Sequence, residues 1–588
     1  MRWRIAPDAP ADAREKFPGL HPIAARLLWQ RGIVDKDEAG RFLDPSYERD
    51  IHDPFLFKDM RRACERVWRA LEIGQKIVIH GDYDADGVTG SVLLMQTFRR
   101  GAELMGADPG LLSHYTPHRE KEGYGVRAET VELLAARGEQ LMITVDCGIG
   151  CAAEIALAKE KGIDTIVVDH HQIPERVPEC IIIHPWVAGE TYPFKYLAAV
   201  GVAFKFACGF IRYAAERGAA FEPGYEKWLL DLVAIATVTD VVPLVGENRA
   251  LETFGLKVLN KTRRPGLKAL LDSAGLESGG IDTVSVGYAI GPRINAASRM
   301  NHASLAFATL MAATPEEARV LADQLNETNR DRQRYTEQIM TAARCRLTEV
   351  AGKKIFVCAG DGWSPGIVGL VAGKFANELA MPVFVFGKDG DKFVGSGRSI
   401  PEFNVVAGME RSKKHLARFG GHPQACGLTI MGEDNFRAFC GEIEAYAEEI
   451  LGGVELEPTL PVDAELKIGD ITWELVDLIA KFEPYGEKNP RPRFLLRDLE
   501  LYSTTPVGKT GGHVRLGVRG GPDRPGGLAP REIKLIAFNF AERAKAFAPL
   551  SKVDAVVEIG VNVWNGRKDI QLKVVDMRQS EYASHPAH

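Results

Sequence analysis

The 588-residue sequence predicts an α/β protein, in which a mostly parallel sheet is joined by a long helix to a second α/β lobe and a small C-terminal β-barrel. Between about residues 75 and 245, apolar runs alternate with helical stretches such as Ala128 to Arg137 and Ala152 to Lys161. This alternation is typical of βαβ units. A shorter alternation from about 353 to 450 indicates the second lobe. The short strand-like runs from about 455 to 580 indicate the barrel.

The composition is that of a globular protein with a large core. Hydrophobic residues make up 45% of the chain and charged residues 26%, and the net charge of −6 excludes a surface coated in positive charge. A local basic groove remains compatible with this average. The nine cysteines are odd in number and lack paired spacing, which indicates reduced thiols. Because no targeting stretch or run of about 18 apolar residues occurs, we expect a cytoplasmic protein that contacts no membrane.

Residues 1 to 70 are predicted to form an N-terminal helical segment, and residues 71 to 313 the first α/β domain. Four apolar runs in this domain have the length and the β-branched content of buried parallel strands. They are Lys76 to Ile79, Leu141 to Val145, Asp164 to Val168, and Leu232 to Val238. The carboxyl ends of such strands meet along one edge of a sheet, where open α/β sheets bind their ligands.

Carboxylates and imidazoles follow each of these four runs directly. The clusters are His80-Gly81-Asp82-Tyr83-Asp84-Ala85-Asp86-Gly87, Asp146-Cys147-Gly148, Asp169-His170-His171, and Asp240. Carboxylates with one or two histidines suit Mn²⁺ or Mg²⁺ better than a structural zinc ion. The pattern therefore predicts a metal-dependent hydrolase of phosphate esters.

A pair of metal ions that assists phosphoryl displacement needs several carboxylates. Five residues supply that number: Asp84, Asp86, Asp146, His170 and Asp240. Asp82 and His80 lie close enough in sequence to assist. A single aspartate after a strand is more often a helix N-cap, but four such clusters in succession favour a metal site. For His171, a catalytic role and a buried structural role are both compatible with the spacing.

One long helix is predicted in the connecting segment, residues 314 to 352. Thr314 is suited to be the N-cap, Pro315 to occupy the first helical position and Glu317 to complete a capping box. No helix breaker occurs before Gly352, so the helix is expected to span about 35 residues, or roughly 50 Å.

The second lobe, residues 353 to 452, contains candidate phosphate-binding side chains. Arg398 and Ser399 are expected in a glycine-flanked loop and His422 in a glycine-flanked turn. Arginine offers a bidentate fork for phosphate, and glycines allow close approach of backbone amides. Arg293 and Asn295, with Arg299, form another group of donors, for which a salt-bridge network between the lobes is an equal alternative.

The last domain, residues 453 to 580, is predicted to consist of short strands and is followed by a tail, 581 to 588. The predicted strands are Arg493 to Leu496, His513 to Val518, Ile533 to Phe538, Val553 to Val563, and Ile570 to Val575.

The motifs resemble those of the DHH phosphoesterase superfamily, which is named for Asp169-His170-His171, and within it those of the RecJ family of single-strand-specific DNA exonucleases. The resemblance covers nearly the whole chain. Besides the metal motifs, it includes Leu232 to Leu244, Gly291 to Arg299, Gly395 to Ile400 and Phe419 to Gly427. The more discriminating stretches are His21 to Leu43, Gly123-Tyr124-Gly125, and Pro484 to Phe494.

The resemblance implies an enzyme of DNA repair and recombination that hydrolyses single-stranded DNA from the 5′ end to 5′-mononucleotides. It implies two Mn²⁺ or Mg²⁺ ions at the five ligands named above, with Asp82 and His171 as catalytic residues. A second lobe of the DHHA1 type would grip phosphate through Arg398, Ser399 and His422. Arg293 and Asn295 would hold the strand, and the terminal barrel would be an OB-fold.

The expected macromolecular partner is single-stranded DNA, with a single-strand-binding protein and a helicase as possible suppliers of it. Aromatic side chains near the motifs are candidates for base stacking, although packing explains each of them equally well: Tyr83, Tyr115, Tyr124 and Phe403. A mixed basic and aromatic set in the terminal domain is a further candidate for DNA contact: Lys509, His513, Arg515, Trp564, Arg567 and Lys568.

Three positions depart from the family pattern. Ser298 replaces a glycine, Ser364-Pro365 stands where a His-Glu pair is expected, and Cys426 replaces an alanine. None of them is a predicted metal ligand.

Three other functions share part of this pattern. A smaller DHH phosphodiesterase of short RNA or cyclic dinucleotides would lack the terminal barrel. A catalytically inactive DHH scaffold would be expected to lack metal ligands, which are intact here. An inorganic pyrophosphatase shares the metal chemistry but has no need of an OB-like domain.

Overall fold

The computed structural model describes residues 1–10, 15–347, 352–508, 511–520, 532–564 and 566–580. The chain forms two compact units. The smaller unit contains Met1–Asp50, Pro243–Thr253 and the chain from Thr459 onward, and the larger unit contains Ile51–Val242 and Phe254–Pro458. The predicted tail, 581 to 588, lies outside the described residues.

The described strands are, in chain order, β1 Arg2–Ile5, β2 Ile77–Gly81, β3 Leu112–Tyr115, β4 Leu141–Val145, β5 Asp164–Val168, β6 Ile181–Ile183, β7 Phe356–Asp361, β8 Val383–Asp389, β9 Lys392–Arg398, β10 Arg418–His422, β11 Ala425–Met431, β12 Thr459–Val462, β13 Ala464–Glu465, β14 Phe494–Val507, β15 His513–Arg519, β16 Glu532–Ala537, β17 Lys552–Trp564 and β18 Arg567–Gln579.

The described α-helices are α1 Pro22–Gln30, α2 Lys36–Leu43, α3 Tyr47–Asp50, α4 Met60–Glu72, α5 Ala85–Met105, α6 Ala128–Ala136, α7 Ala152–Glu160, α8 Ala199–Ala215, α9 Tyr225–Trp228, α10 Leu230–Thr239, α11 Gly246–Leu259, α12 Pro265–Ser273, α13 Thr283–Ser285, α14 Gly291–Met300, α15 Ser304–Met311, α16 Pro315–Arg344, α17 Pro365–Leu379, α18 Val405–Arg411, α19 Glu433–Leu451, α20 Trp473–Ala480 and α21 Ala541–Ala544. A π-helical turn, Val286–Ile290, precedes α14. None of these described helices is both long and apolar enough to span a membrane.

The first sheet of the larger unit is parallel, with the strand order β3-β2-β4-β5-β6. Three of the four predicted strands are confirmed as β2, β4 and β5. Their last residues are in register, since Gly81 pairs with Val145 and Val145 with Val168. The chain therefore leaves all three strands at one level, which brings the three acidic and imidazole clusters to the same edge of the sheet.

The prediction of a fourth strand at Leu232 to Val238 is wrong. These residues lie within helix α10, and Asp240 is the residue that caps its C-terminal end. Every residue from Leu230 to Thr237 is buried. A helix surrounded by protein is apolar on all sides, so its sequence resembles that of a buried strand.

The second sheet of the larger unit has the strand order β10-β11-β9-β8-β7 and is antiparallel except for the β7–β8 pair. The sequence predicted a loop at Arg398 and a turn at His422, and both predictions are wrong. Arg398 is the last residue of strand β9, and His422 is the last residue of strand β10. Gly395 and Gly397 belong to β9, where an added Cβ would lie 2.3 Å and 2.7 Å from ring atoms of two phenylalanines on β8. The glycines therefore allow aromatic rings to cover the strand.

The long helix predicted between the lobes is confirmed as α16, which has 30 residues and a length of about 45 Å. It begins as expected, because the Thr314 side chain accepts a hydrogen bond from the backbone N–H of Glu317 at 3.2 Å. The Glu317 carboxylate accepts from the N–H of Ala313 at 3.1 Å. Two backbone donors at the start of the helix are thereby satisfied.

The smaller unit contains the predicted barrel. Strands β14, β15, β16, β18 and β17 are adjacent in that order, and pairing of β14 with β17 closes the ring. All five strands predicted in this segment are therefore confirmed. Of the mixed basic and aromatic set predicted here, Lys509 and the side chain of Trp564 lie outside the described part of the chain.

The prediction that the N-terminal segment is purely helical is wrong. Its strand β1 pairs in parallel with β12. A short strand at a chain terminus gains its hydrogen bonds from a distant partner and has little local signal. Apolar side chains of the N-terminal helices, such as Leu28 and Phe42, share one core with barrel residues such as Leu516 and Val557. The N-terminal residues and the barrel therefore stabilise one another.

Glu252, on α11, is a buried carboxyl group without a hydrogen-bond partner among the described residues. Burial raises its pKa well above the ordinary value. Because the pKa is raised in the folded state, its contribution to stability is greatest at low pH and is lost as the pH rises through the folded pKa. We expect Glu252→Gln to reduce the fall in thermal midpoint between about pH 5 and pH 9. Thermal unfolding of both proteins across this range measures the effect.

The matched control is Glu474→Gln, which changes an exposed glutamate in the same unit. Its unfolding profile should retain the slope of the wild type. Parallel profiles for wild type and Glu252→Gln would contradict the assignment of the slope to Glu252.

Candidate active site

The loop after β2 holds its aspartates through backbone hydrogen bonds. The Asp84 side chain caps α5, since one oxygen accepts from the N–H groups of Asp86 at 2.9 Å and Gly87 at 3.3 Å. Asp86 is buried, and its carboxylate accepts from two N–H groups at the start of α8, at 2.7 Å and 2.8 Å. An added Cβ at Gly87 would lie 2.6 Å from backbone atoms of Asp82. Only glycine allows the loop to turn so tightly here.

His170 is the centre of the cluster. Its Nε2 lies 3.4 Å from a carboxylate oxygen of Asp146, 3.5 Å from one of Asp240 and 3.9 Å from one of Asp86. Burial lowers the pKa of His170 to about 4. The imidazole is therefore neutral near pH 7, which is the form that binds a metal ion.

A second group of carboxylates lies beside the first. One oxygen each from Asp82, Asp84 and Asp146 lie within 4.8 Å of one another, as do ligand atoms of Asp86, His170 and Asp240. The structure thus brings together all five predicted metal ligands and Asp82. Asp240 belongs to the cluster although it follows a helix rather than a strand.

The electrostatics of the cluster are unfavourable without a cation. Burial, together with the neighbouring carboxylates, raises the pKa values of Asp82, Asp146 and Asp240 well above the ordinary range and that of Asp86 to about 7. Three buried atoms, Asp82 Oδ1, Asp146 Oδ1 and His170 Nε2, have no hydrogen-bond partner among the described residues. Buried carboxylates are normally paired or bound to metal. The residues present therefore fit divalent cations with oxygen and nitrogen ligands.

Asp169 orients His171, a role that the sequence did not reveal. One carboxylate oxygen lies 2.8 Å from His171 Nδ1 and also accepts from the backbone N–H groups of His170 and His171. The other accepts from the N–H of Ile149 at 3.1 Å. Burial opposes ionisation of Asp169, but the hydrogen bond and the charge of His171 lower its pKa to about 2. An aspartate that precedes two N–H groups at a strand end is the only local signal for this role.

The Tyr124 hydroxyl also contacts this histidine. It donates to the backbone oxygen of Asp146 at 3.1 Å and lies 3.0 Å from His171 Nδ1. Burial opposes protonation of His171, and the hydrogen bond with Asp169 outweighs it, so that the pKa of His171 is raised. His80, in contrast, lies outside the cluster, with its Nδ1 3.7 Å from the sulfur of Cys147.

Two of the predicted strand-binding residues make contacts within the protein. Asn295 Oδ1 accepts from the backbone N–H of Ala85 at 2.8 Å, which ties α14 to the start of α5 beside Asp84. Arg293 donates to the side chain of Asn326 at 3.0 Å and to the backbone oxygen of Ala289, in the π-helical turn before α14, at 2.8 Å. Asn295 therefore holds the loop that bears the predicted ligands Asp84 and Asp86, and Arg293 lies against α16.

The predicted phosphate-binding residues of the second lobe differ in their surroundings. Arg398 donates to the backbone oxygen of Gly397 at 2.8 Å. The Ser399 hydroxyl donates to the backbone oxygen of Phe403 at 2.6 Å, so its proton is already engaged. His422 is exposed at the end of β10.

Arg119 and Arg299 join Arg398 in a cluster of positive charge. Burial, followed by the charge of Arg119, lowers the pKa of Arg299 to about 9, and burial also lowers that of Arg398. The Arg119 guanidinium lies 4.6 Å from the centre of the Tyr83 ring. Arg299 is close enough to Asp84 for the two charges to interact. Sequence reasoning missed Arg119, whose only local signal is a basic residue shortly before Gly123-Tyr124-Gly125.

Metal removal is expected to destabilise the larger unit. Mn²⁺ at about 100 times its dissociation constant should raise the thermal midpoint by roughly 5–10 °C relative to protein in EDTA, because the ions neutralise the buried carboxylates. Calorimetry with and without Mn²⁺ measures the shift. Potassium chloride at equal ionic strength is the control and should leave the midpoint in EDTA unchanged. An equal effect of both salts would contradict a specific metal site.

Comparison with known proteins finds relatives that match nearly the whole chain. Family models match three stretches: the DHH family N-terminal domain at residues 76–237, the DHHA1 domain at 352–449 and the RecJ OB domain at 462–576. The single-stranded-DNA-specific exonuclease RecJ of Bacillus subtilis is 35% identical over 99% of this chain and 71% of its own length. The chain belongs to the RecJ family. RecJ of Dickeya dadantii is 32% identical over 97% of this chain and 98% of its own length.

Solved RecJ structures share the architecture. RecJ of Thermus thermophilus in complex with Mn²⁺ superimposes with a TM-score of 0.80 at 29% identity, covering 99% of this chain and 80% of that one. The Mg²⁺ complex of the same protein gives a TM-score of 0.74 at 28% identity, covering 99% and 79%. The predicted RecJ fold, with DHH, DHHA1 and OB domains, is confirmed, and Mn²⁺ and Mg²⁺, the predicted alternatives, are the ions in these RecJ structures.

Proposed function

We propose that this RecJ-family chain hydrolyses single-stranded DNA from the 5′ end and releases 5′-mononucleotides in DNA repair and recombination. The main support is the group of five buried or half-buried aspartates with His170, in which overlapping sets of ligand atoms are close enough to bind metal ions. The family to which the chain belongs and its matched OB domain support the choice of substrate.

Two Mn²⁺ or Mg²⁺ ions would be held by the five predicted ligands: Asp84, Asp86, Asp146, His170 and Asp240. When bound, the ions supply a water of lowered pKa and stabilise charge on the phosphate oxygens. Asp82 lies within the same cluster, where one of its buried oxygens has no hydrogen-bond partner among the described residues, and it is proposed to assist. Asn295 and the start of α8 hold the aspartate loop in place, so that the ligands are oriented before the substrate arrives.

His171 is proposed to protonate the leaving 3′ oxygen of the terminal nucleotide. Its Nδ1 is held by Asp169, which leaves Nε2 as the ring nitrogen that faces outward. The raised pKa increases the fraction of the imidazole that bears a proton near pH 7. Asp169 thereby sets both the orientation and the charge of the proton donor.

Arg119, Arg299 and Arg398 are proposed to hold a phosphate next to the metal site. Among the described residues, none of the three forms an ion pair within 4.0 Å, so their charges remain available to an anion. Arginine forks match phosphate oxygens in pairs. Ser399 is a weaker candidate, because its proton is engaged by Phe403. His422 stays a prediction for phosphate contact.

A single-strand-binding protein and a helicase are proposed as suppliers of the strand. A helicase generates the single-stranded DNA that such an exonuclease consumes, and a single-strand-binding protein holds it. A cytoplasmic location also stays a prediction. The smaller DHH phosphodiesterase is disfavoured by the OB domain, and the inactive scaffold by the complete set of ligands.

The decisive experiment uses single-stranded DNA labelled separately at the 5′ and the 3′ end, with purified protein and Mn²⁺. We expect immediate release of the 5′ label as a mononucleotide, while the 3′ label stays on strands that shorten progressively. Hydrolysis of dinucleotides without cleavage of either strand would indicate the small-substrate phosphodiesterase instead. Strand binding without any hydrolysis would indicate the scaffold.

A further inference from the structure

The loop after the edge strand β6 presents three aromatic side chains near its surface. Trp186 is 49% exposed and Tyr196 50%, and Phe194 is partly buried. The ring centres of Trp186 and Tyr196 are 5.7 Å apart, and those of Phe194 and Tyr196 are 5.9 Å apart. The three rings therefore form one cluster, and large aromatic groups exposed together usually mark a binding surface.

Both ends of this loop, residues 184–198, are bonded to the candidate active site. His184 Nε2 lies 2.8 Å from the backbone oxygen of His171, and the N–H of Trp186 donates to His184 Nδ1 at 3.1 Å. Directly after the loop, the first N–H groups of α8 donate to Asp86. A single imidazole thus separates the backbone of Trp186 from that of His171, which follows the predicted ligand His170.

The middle of the loop is also held in place. Tyr192 is fully buried and stacks on Phe57, with ring centres 3.9 Å apart. The Lys195 ammonium donates to the backbone oxygens of Pro185 at 2.8 Å and Glu190 at 3.3 Å, which joins the two sides of the loop. Rings on such a loop lose little conformational freedom when they bind a ligand.

Positive charge accompanies the rings. The ammonium groups of Lys195 and Lys58 donate to backbone oxygens of this loop, and within the described chain neither forms an ion pair within 4.0 Å. Their charges are therefore available to phosphate groups. Aromatic rings combined with uncompensated cations are the usual composition of a surface that binds single-stranded nucleic acid.

We propose that Trp186, Phe194 and Tyr196 form a stacking platform for the bases of the single strand next to the scissile phosphate. The inference rests on the proposed function for its substrate and adds a binding site to it. Every base has a π face, so the platform binds without preference for sequence. It holds the strand beside the metal site while the arginine cluster holds a phosphate.

The test measures the affinity of the full-length protein for a fluorescent oligo(dT) strand in EDTA, where no hydrolysis occurs. We expect Trp186→Ala and Tyr196→Ala each to raise the dissociation constant about tenfold, and the double variant to raise it further. Leu133→Ala is the matched control, because Leu133 is 39% exposed on α6 of the same unit. It should bind like the wild type, and equal thermal midpoints exclude unfolding as the cause.

Two comparisons separate stacking from simple apolar contact. Trp186→Phe retains a ring and should keep most of the affinity, whereas Trp186→Leu should lose as much as the alanine variant. A strand of abasic sites has no bases to stack, so its weak binding should not change further in the Trp186 and Tyr196 variants.

Equal dissociation constants for wild type and double variant would overturn the platform and leave the cluster as a surface for a protein partner. If the abasic strand loses affinity to the same degree as oligo(dT) in the variants, the rings contact the sugar-phosphate backbone and the stacking platform is also overturned. Because binding is measured in EDTA, these outcomes are independent of hydrolysis. Failure of the wild type to cleave labelled strands in Mn²⁺ would contradict the proposed function instead.

Discussion

Asp146→Asn is expected to lower the rate of single-strand hydrolysis by about a thousandfold or more. Loss of an outer-shell partner of a metal site already lowers activity about 10- to 100-fold. Asp146 belongs to two groups of close ligand atoms, one with Asp82 and Asp84 and one with His170 and His171. Asparagine keeps the volume and tolerates the left-handed backbone of this position, where φ is 62°. Rates of release of a 5′-labelled mononucleotide in Mn²⁺ measure the effect.

The same variant has an opposite expected effect on stability in EDTA. Burial and then the charges of Asp86, Asp84 and Asp240 raise the pKa of Asp146, so removal of its carboxylate relieves repulsion in the metal-free protein. The thermal midpoint in EDTA should rise above that of the wild type, while Mn²⁺ should stabilise the variant less. Glu129→Gln, on the exposed start of α6, is the control. Near-normal hydrolysis, or an undiminished response to Mn²⁺, would contradict the metal assignment.

Arg249→Met is expected to lower the free energy of unfolding of the smaller unit by about 3–5 kcal/mol. The buried Arg249 guanidinium donates to five backbone oxygens: Phe42, Lys481, Phe482, Glu483 and Pro484. It also lies 3.9 Å from the centre of the Phe42 ring. Methionine fills similar space but leaves these oxygens buried without a donor.

Thermal unfolding should show this loss as a transition about 10 °C lower. Arg249→Lys keeps the charge but has three N–H donors instead of five, so it should lie between wild type and Arg249→Met. Arg41→Met changes an exposed arginine in the same unit and should have little effect. A midpoint of Arg249→Met equal to that of Arg41→Met would show that the five contacts contribute nothing to stability.

The metal-binding candidates could be predicted from the sequence because their signals are local. Asp82, Asp146 and His170 each follow a short buried strand, and parallel strands in register bring such residues together without further information. Asp240 lies close to these residues in the structure, although the predicted strand before it is a helix. A buried apolar run contains no periodicity that separates a helix from a strand.

The contacts that orient the site could not be predicted in this way. Asn295 reaches the N–H of Ala85 across 210 positions of the chain, and Arg119 meets Arg299 and Arg398 from separate elements. Neither pairing leaves a trace in the residues on either side of it. Ser399 is a case in which local sequence was misleading. Its position directly after Gly397 and Arg398 suggested a phosphate donor, whereas in the folded chain its hydroxyl donates to the backbone oxygen of Phe403.

The sequence by itself determined the order of domains, the strand ends that bear carboxylates and the long helix that begins at Pro315, because these depend on patterns within a few residues. The tertiary structure alone decided that Asp169 holds His171, that Arg249 satisfies five distant oxygens, and that His184 joins the backbone of Trp186 to that of His171. The physical reason is that hydrogen bonds, burial and charge act over a few ångströms in space. Residues that meet at such distances can lie hundreds of positions apart in the chain.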